Sequence, residues 1–128
     1  MIFVDTNVWV YAVGRAHPLR EPARDLIRRW VDARTPVSTS AEVLQELLHA
    51  YLPVQRLGTL AAAVRLATDV ADVWPLEAED VRLATRLAHD HTGVSARDLT
   101  HLATCLRRDV SELATFDQGL AAAFRTVT

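Results

Sequence analysis

Short apolar runs and longer stretches of helical periodicity take turns along this chain. Residues 2–5 open it as an apolar, β-branched run suited to a central strand. Asn7 to Val13 starts a helix that Gly14 can end. Pro22 stands well in a first helical turn, and Ala23, Leu26, Ile27, Trp30 and Val31 follow it at i, i+3, i+4, i+7, i+8 spacing. Pro36-Val37-Ser38 reads as a short strand leading to Thr39. Thr39 to Glu42 fits a capping box for a helix whose apolar stripe is Val43, Leu44, Leu47, Leu48 and Tyr51, with Pro53 closing it.

A helix follows from Leu57 to about Val70. Val73-Trp74-Pro75-Leu76 reads as an edge strand, because proline cannot donate to a ladder. Glu77 to His91 predicts a helix with Val81, Ala84, Leu87 and Ala88 inward and Gly93 as its stop. Ser95 to Arg108 predicts the next helix. After it come a strand at 112–116, a short helical turn behind Asp117 and a last strand at 125–128. Alternating strands and helices imply an α/β fold, a parallel sheet covered by helices, in a single domain over residues 1–128. In such sheets ligands gather at the carboxyl ends of strands, which sets Asp5 and Asp117 on one edge.

Composition narrows the chemistry. The one cysteine, Cys105, has no disulfide partner in the chain and falls beside Leu102 and Leu106, as a small buried apolar residue in a reducing compartment would. All 14 basic residues are arginine, so mechanisms that need a lysine are excluded. The net charge of −2 argues against nucleic-acid binding through overall charge but leaves room for a local basic rim. No basic residue precedes the N-terminal apolar run and Asp5 interrupts it, so neither a signal peptide nor a membrane span is expected there.

Four acids then stand out. Asp5 and Asp117 end strands; Glu46 and Asp98 lie in separate helical patterns. Each has an ordinary explanation. Asp5 can cap a helix, Asp98 suits a helix first turn and Asp117 can begin a turn. Glu46 is less easily explained, since it follows Glu42 at i,i+4 and borders the apolar stripe. Carboxylates gathered from distant segments repel unless a hard cation lies between them, so convergence would imply Mg²⁺ or Mn²⁺ and phosphodiester hydrolysis. Thr6 and Asn7 could hydrogen-bond an acid or a metal-bound water. His101 reads as a structural or phosphate-adjacent residue.

At Val4-Asp5-Thr6-Asn7, Ser40 to Glu46-Leu47, Arg97-Asp98-Leu99-Thr100-His101-Leu102-Ala103 and Leu113-Ala114-Thr115-Phe116-Asp117 the chain resembles PIN-domain proteins, specifically VapC-type toxins of toxin–antitoxin pairs. The resemblance runs nearly end to end. It implies a three-layer α/β/α fold around a mainly parallel sheet of four to five strands, and a cytoplasmic Mg²⁺- or Mn²⁺-dependent endoribonuclease blocked by a cognate antitoxin. By position, Asp5, Glu46, Asp98 and Asp117 would bind metal directly or through water, with Asn7 and Thr115 in support. Glu42 would be an outer neighbour at most.

Arg15, Arg97 and His101 could form a rim for RNA, with Arg107 and Arg108 adding to it and Arg20, Arg24 and Arg28 lining one helix face. Exposed apolar residues among 40–65 could serve an antitoxin helix or a homodimer, giving toxin–antitoxin hetero-oligomers. One departure stands out: Leu120 occupies a place where the family often has an aromatic, which bears on the packing behind Asp117. Alternatives are a catalytically silent PIN-like binding module and an RNA-processing PIN nuclease outside any toxin–antitoxin pair. Receiver domains and haloacid-dehalogenase-like phosphatases need a lysine that is absent here, and a P-loop enzyme lacks its Gly-rich Lys-Ser/Thr loop.

Overall fold

The computed structural model describes residues 1–128. Its elements run β1 Ile2–Val4, α1 Thr6–Val13, α2 Arg20–Ala33, β2 Val37–Ser40, α3 Ala41–Tyr51, α4 Leu57–Val70, β3 Asp72–Trp74, α5 Ala78–Leu87, α6 Ala96–Arg107, β4 Glu112–Ala114 and α7 Gln118–Val127. The four strands form one sheet in the order β3-β2-β1-β4, every pairing parallel. Ile2 lies opposite Val37 on one side and Glu112 on the other. Phe3 and Val4 are fully buried, as a strand covered on both faces requires. β3 is the edge strand expected from Pro75.

Two groups of helices flank the sheet. α1, α2, α3 and α4 pack on one another, and α5, α6 and α7 do likewise. Trp9, Ile27, Trp30, Leu47 and Leu102 belong to one core cluster, and Ala84, Leu99 and Ala103 form a smaller one between α5 and α6.

The sequence pattern needs correction in several places. Ser40, not Thr39, caps α3: its Oγ accepts from the backbone N–H of Val43 at 3.2 Å. Thr39 remains in β2 and donates to the carbonyl of Val4 at 3.0 Å, tying β2 to β1. Val31, Leu48 and Val81 fit helical stripes but lie exposed. The helix begun at Ala78 stops at Leu87, four residues before His91, and Gly93 takes a left-handed φ of 87° in the loop beyond.

The chain after Asp117 is one continuous helix rather than a short turn and a strand. Ala121, Ala122 and Ala123 suit a helix, and Leu120 and Phe124 bury on one face at i,i+4. Leu120 is 2% exposed within the main core, so the smaller side chain is accommodated by close packing.

Candidate metal centre

β1 and β4 pair in register, so both deliver their carboxyl ends to one edge of the sheet. The backbone N–H of Asp5 donates to the carbonyl of Ala114 at 2.9 Å, which fixes the residue following β1 beside the one following β4. α3 starts directly from β2 and carries Glu46 back over this edge; the first turn of α6 brings Asp98. The result is a cleft of about 300 Å³ lined by Asp5, Thr6, Asn7, Val10, Tyr11, Glu46, Asp98 and Asp117. All four acids therefore share one concavity.

Their hydrogen bonding differs sharply. Asp5 is buried, with Oδ1 accepting from the N–H of Thr6 at 2.8 Å and Oδ2 from the hydroxyl of Thr115 at 2.7 Å. Thr115 Oγ1 also accepts from Asn7 Nδ2 at 3.2 Å and from the N–H of Asp117 at 3.0 Å. One donor and two acceptors exhaust what a hydroxyl offers. Asn7 closes the ring by accepting from the N–H of Phe116 at 3.2 Å. Asp117 caps α7 through the N–H of Leu120 at 3.0 Å.

Glu46 is held at both oxygens. Oε2 accepts from the Thr6 hydroxyl and Oε1 meets His101 Nε2, each at 2.6 Å. Asp98 makes no side-chain hydrogen bond, although its backbone N–H donates to Ser95 Oγ at 3.2 Å.

The electrostatics follow from this inequality. Burial raises Asp5 above the usual carboxylate range, more than His101 and its hydrogen bonds lower it. Asp98 is raised as well, first by burial and then by repulsion from Asp5 and Asp117. Burial also pushes Glu46 upward, but the bond and charge of His101 outweigh it and leave Glu46 below its ordinary value. For His101 burial favours the neutral ring, yet the bond to Glu46 and the charges of Asp5, Glu46 and Asp98 raise its pKa.

The chemistry of this donor set fits a hard divalent cation. It offers carboxylate oxygens, and Asp98 and Asp5 hold their negative charge at a cost that a cation between them would remove. Asp5, Glu46 and His101 bring donor atoms within 4.8 Å of one another. His101 Nε2 is already committed to Glu46, which leaves the ring as a support for that carboxylate rather than a ligand.

Not every expected residue lies where the pattern suggests. His101 is 1% exposed beneath the cleft, in contact with Phe3, and so is no part of an RNA rim. The i,i+3 step from Asp98 to His101 on one helix was the available signal, since it places both on the same face. Arg107 and Arg108 are likewise removed from a rim. Both donate to the fully buried Asp80, at 2.8 and 2.9 Å, and Arg108 also bonds Glu77 and lies over the Trp74 ring. Arg24 is spent on the carbonyl of Ala12 and Arg28 on Asp25. Arg15 and Arg97 remain exposed, and Arg97 is close enough to lower Glu46. Tyr11 was not anticipated as a lining residue.

The profile of the PIN domain family matches residues 2–124, and the chain belongs to that family. Within it, the chain is 53% identical over 126 residues to ribonuclease VapC23 of Mycobacterium tuberculosis, covering 98% of this chain and all of the relative. The solved structure of VapC20 from the same organism, described as a sarcin-ricin loop cleaving toxin, superposes with a TM-score of 0.74. It shares 25% identity and covers 96% of this chain and 95% of its own. A toxin–antitoxin complex from Klebsiella pneumoniae shares the fold at 17% identity and a TM-score of 0.68, over 91% of this chain and 87% of that one.

Proposed function

We propose that this protein is a divalent-metal-dependent endoribonuclease, using Mg²⁺ or Mn²⁺, that acts on cytoplasmic RNA as the toxin of a toxin–antitoxin pair. The observation that carries the reading is Asp98, a half-buried carboxylate without a hydrogen bond, facing Asp5, Glu46 and Asp117 across one cleft. Kinship with proteins named ribonuclease VapC supports RNA as the substrate.

Asp5 and Asp98 would hold the metal directly. Thr115 and the N–H of Thr6 fix the Asp5 carboxylate, so it need not reorganise when charge arrives. Glu46, clamped by Thr6 and His101, would act through a water molecule, and Asp117 at the mouth would complete the shell. The bound ion supplies neutralisation of phosphate oxygens and a lowered pKa for a water. Arg15 and Arg97 would hold the RNA backbone on either side, positioning it without reading sequence.

An antitoxin would need an apolar surface as well as access to the acids. Leu48, Leu52, Val54 and Leu57 are exposed where α3 turns into α4 and offer such a surface, to an antitoxin helix or to a second copy in a homodimer.

The test is cleavage of pooled cellular RNA with Mg²⁺ or Mn²⁺, with and without chelator, comparing the wild type with Asp98→Asn. Metal-dependent cleavage lost in the variant is expected. A purified wild-type protein that cleaves no RNA would overturn the reading and favour a silent binding module, and cleavage indifferent to chelator would overturn the metal dependence.

A further inference from the structure

The acidic cleft has a basic neighbour. Val10 and Tyr11 line both the cleft and an adjoining cavity of about 230 Å³, whose other walls include Arg15, His17, Tyr51 and Arg56. The His17 ring stacks on Tyr11 with centroids 4.5 Å apart and planes 28° from parallel. Phe116, next to Asp117, meets Tyr11 edge-on at 5.8 Å. Three rings therefore run in a row past the carboxylates.

Two further features point to a ligand. His17 Nδ1 accepts from the N–H of Leu19 at 3.0 Å, so the neutral ring carries its proton on Nε2, a donor with no partner in the chain. Tyr51 is 6% exposed, and its hydroxyl is sealed from solvent with no hydrogen-bond partner. A buried phenol ordinarily finds one. Burial raises the Tyr51 pKa, and the charge of Arg56 opposes it, which sets Arg56 close by.

We propose that this cavity is a nucleotide subsite for the residue flanking the scissile phosphodiester. Its base stacks against the Tyr11–His17 pair, Arg15 and Arg56 meet its phosphate, and Tyr51 and His17 offer hydroxyl and Nε2–H to ribose or base. The placement rests on the ribonuclease reading, since a strand held at the carboxylate cleft continues directly past Tyr11. Aromatic faces next to guanidinium groups suit an unstacked, single-stranded nucleotide. An acidic peptide would use the arginines but has no need of stacked rings.

Binding and cleavage separate the two claims. In Ca²⁺, anisotropy of a labelled, mixed-sequence single-stranded oligoribonucleotide reads the subsite in the intact protein. His17→Ala and Arg56→Ala should each weaken binding roughly tenfold, and Arg56→Ala should lower the salt slope by about one. Tyr51→Phe removes only the unpartnered hydroxyl and should weaken binding severalfold with no loss of thermal stability. In Mn²⁺, His17→Ala should raise KM with little change in kcat. That difference should vanish on RNA carrying an abasic residue beside the cut.

Oligonucleotide binding and KM unchanged in all three variants would overturn the subsite, as would variants that lose only an antitoxin while holding RNA normally. A wild type that binds RNA through these residues yet cleaves nothing would uphold the subsite and sink the nuclease reading instead.

Discussion

Glu46 and His101 meet at 2.6 Å, across 55 positions of sequence, while the Thr6 hydroxyl takes the other carboxylate oxygen. Asp98, by contrast, is free. The two acids should therefore fail differently. Asp98→Asn is expected to weaken Mn²⁺ binding by more than a hundredfold. Glu46→Gln should cost about 10–100-fold, the range for groups that orient ligands. Calorimetric Mn²⁺ titration of each variant checks the ranking, and equal losses would make Glu46 a direct ligand. Asp5→Asn and Asp98→Asn should each abolish RNA cleavage with circular dichroism unchanged.

Thr115 spends its single hydroxyl on Asp5, Asn7 and Asp117 at once. Thr115→Val preserves shape and removes all three bonds. It should weaken metal binding about 10–100-fold and cost roughly 1–3 kcal/mol of stability, because the buried Asp5 oxygen loses its donor. Urea denaturation and the same titration read both effects.

The raised values of Asp5 and Asp98 make the metal-free protein sensitive to pH in a definite direction. A carboxyl that titrates higher folded than unfolded binds its proton better in the fold. Stability is then gained as pH falls through the folded value towards the unfolded one, about 4. The apo-protein should become more stable as pH falls from neutral towards the unfolded value, and saturating Mn²⁺ should flatten this trend. Asp98→Asn should stabilise the apo-protein at neutral pH by about 1 kcal/mol and abolish the metal-induced rise in Tm. A Tm that falls on mild acidification without metal would contradict the raised values of both acids.

Asp80 shows the opposite sign. Burial raises its pKa, but the bonds from Arg108, the Glu77 backbone and Arg107 outweigh this and hold it below its usual value. Its stabilisation is present above pH 4 and lost as pH falls through the lowered folded value. Asp80→Asn takes the buried charge partner from two guanidinium groups and should cost about 2 kcal/mol at neutral pH, below the full loss for a sealed pair because Arg107 reaches solvent and Glu77 still pairs with both arginines. Denaturation at pH 7 and at pH 3 should show the deficit shrinking.

The parts of the fold legible in the sequence were those with strong local signals. The all-parallel sheet followed from short apolar runs between periodic stretches, and Pro75 marked the edge. The joint placement of Asp5 and Asp117 followed from strand topology alone, and Glu46 from its poor fit to an ordinary surface acid. What stayed hidden depends on partners far away in sequence. Ser40 and Thr39 are equally good caps until the sheet takes the Thr39 hydroxyl. His101 looked available to RNA because nothing local shows that Phe3 and Glu46 close over it. Asp80 reads as one more acid of a helix first turn, and Arg107 and Arg108 bury it from the far end of α6. After Asp117, residues 125–128 favour a strand by composition, and the Leu120–Phe124 face packed on the core decides for helix.

β4 hydrogen-bonds within the sheet only to β1, more than a hundred residues upstream, and it brings Thr115 and Asp117 with it. No early portion of the chain can assemble the four-acid cleft by itself, because Thr115 and Asp117 follow just after β4. The concavity shared by Asp5, Glu46, Asp98 and Asp117 therefore exists only once segments near both ends of the chain have met. The pairing of one short strand thus makes the cleft a property of the whole chain rather than of any segment of it.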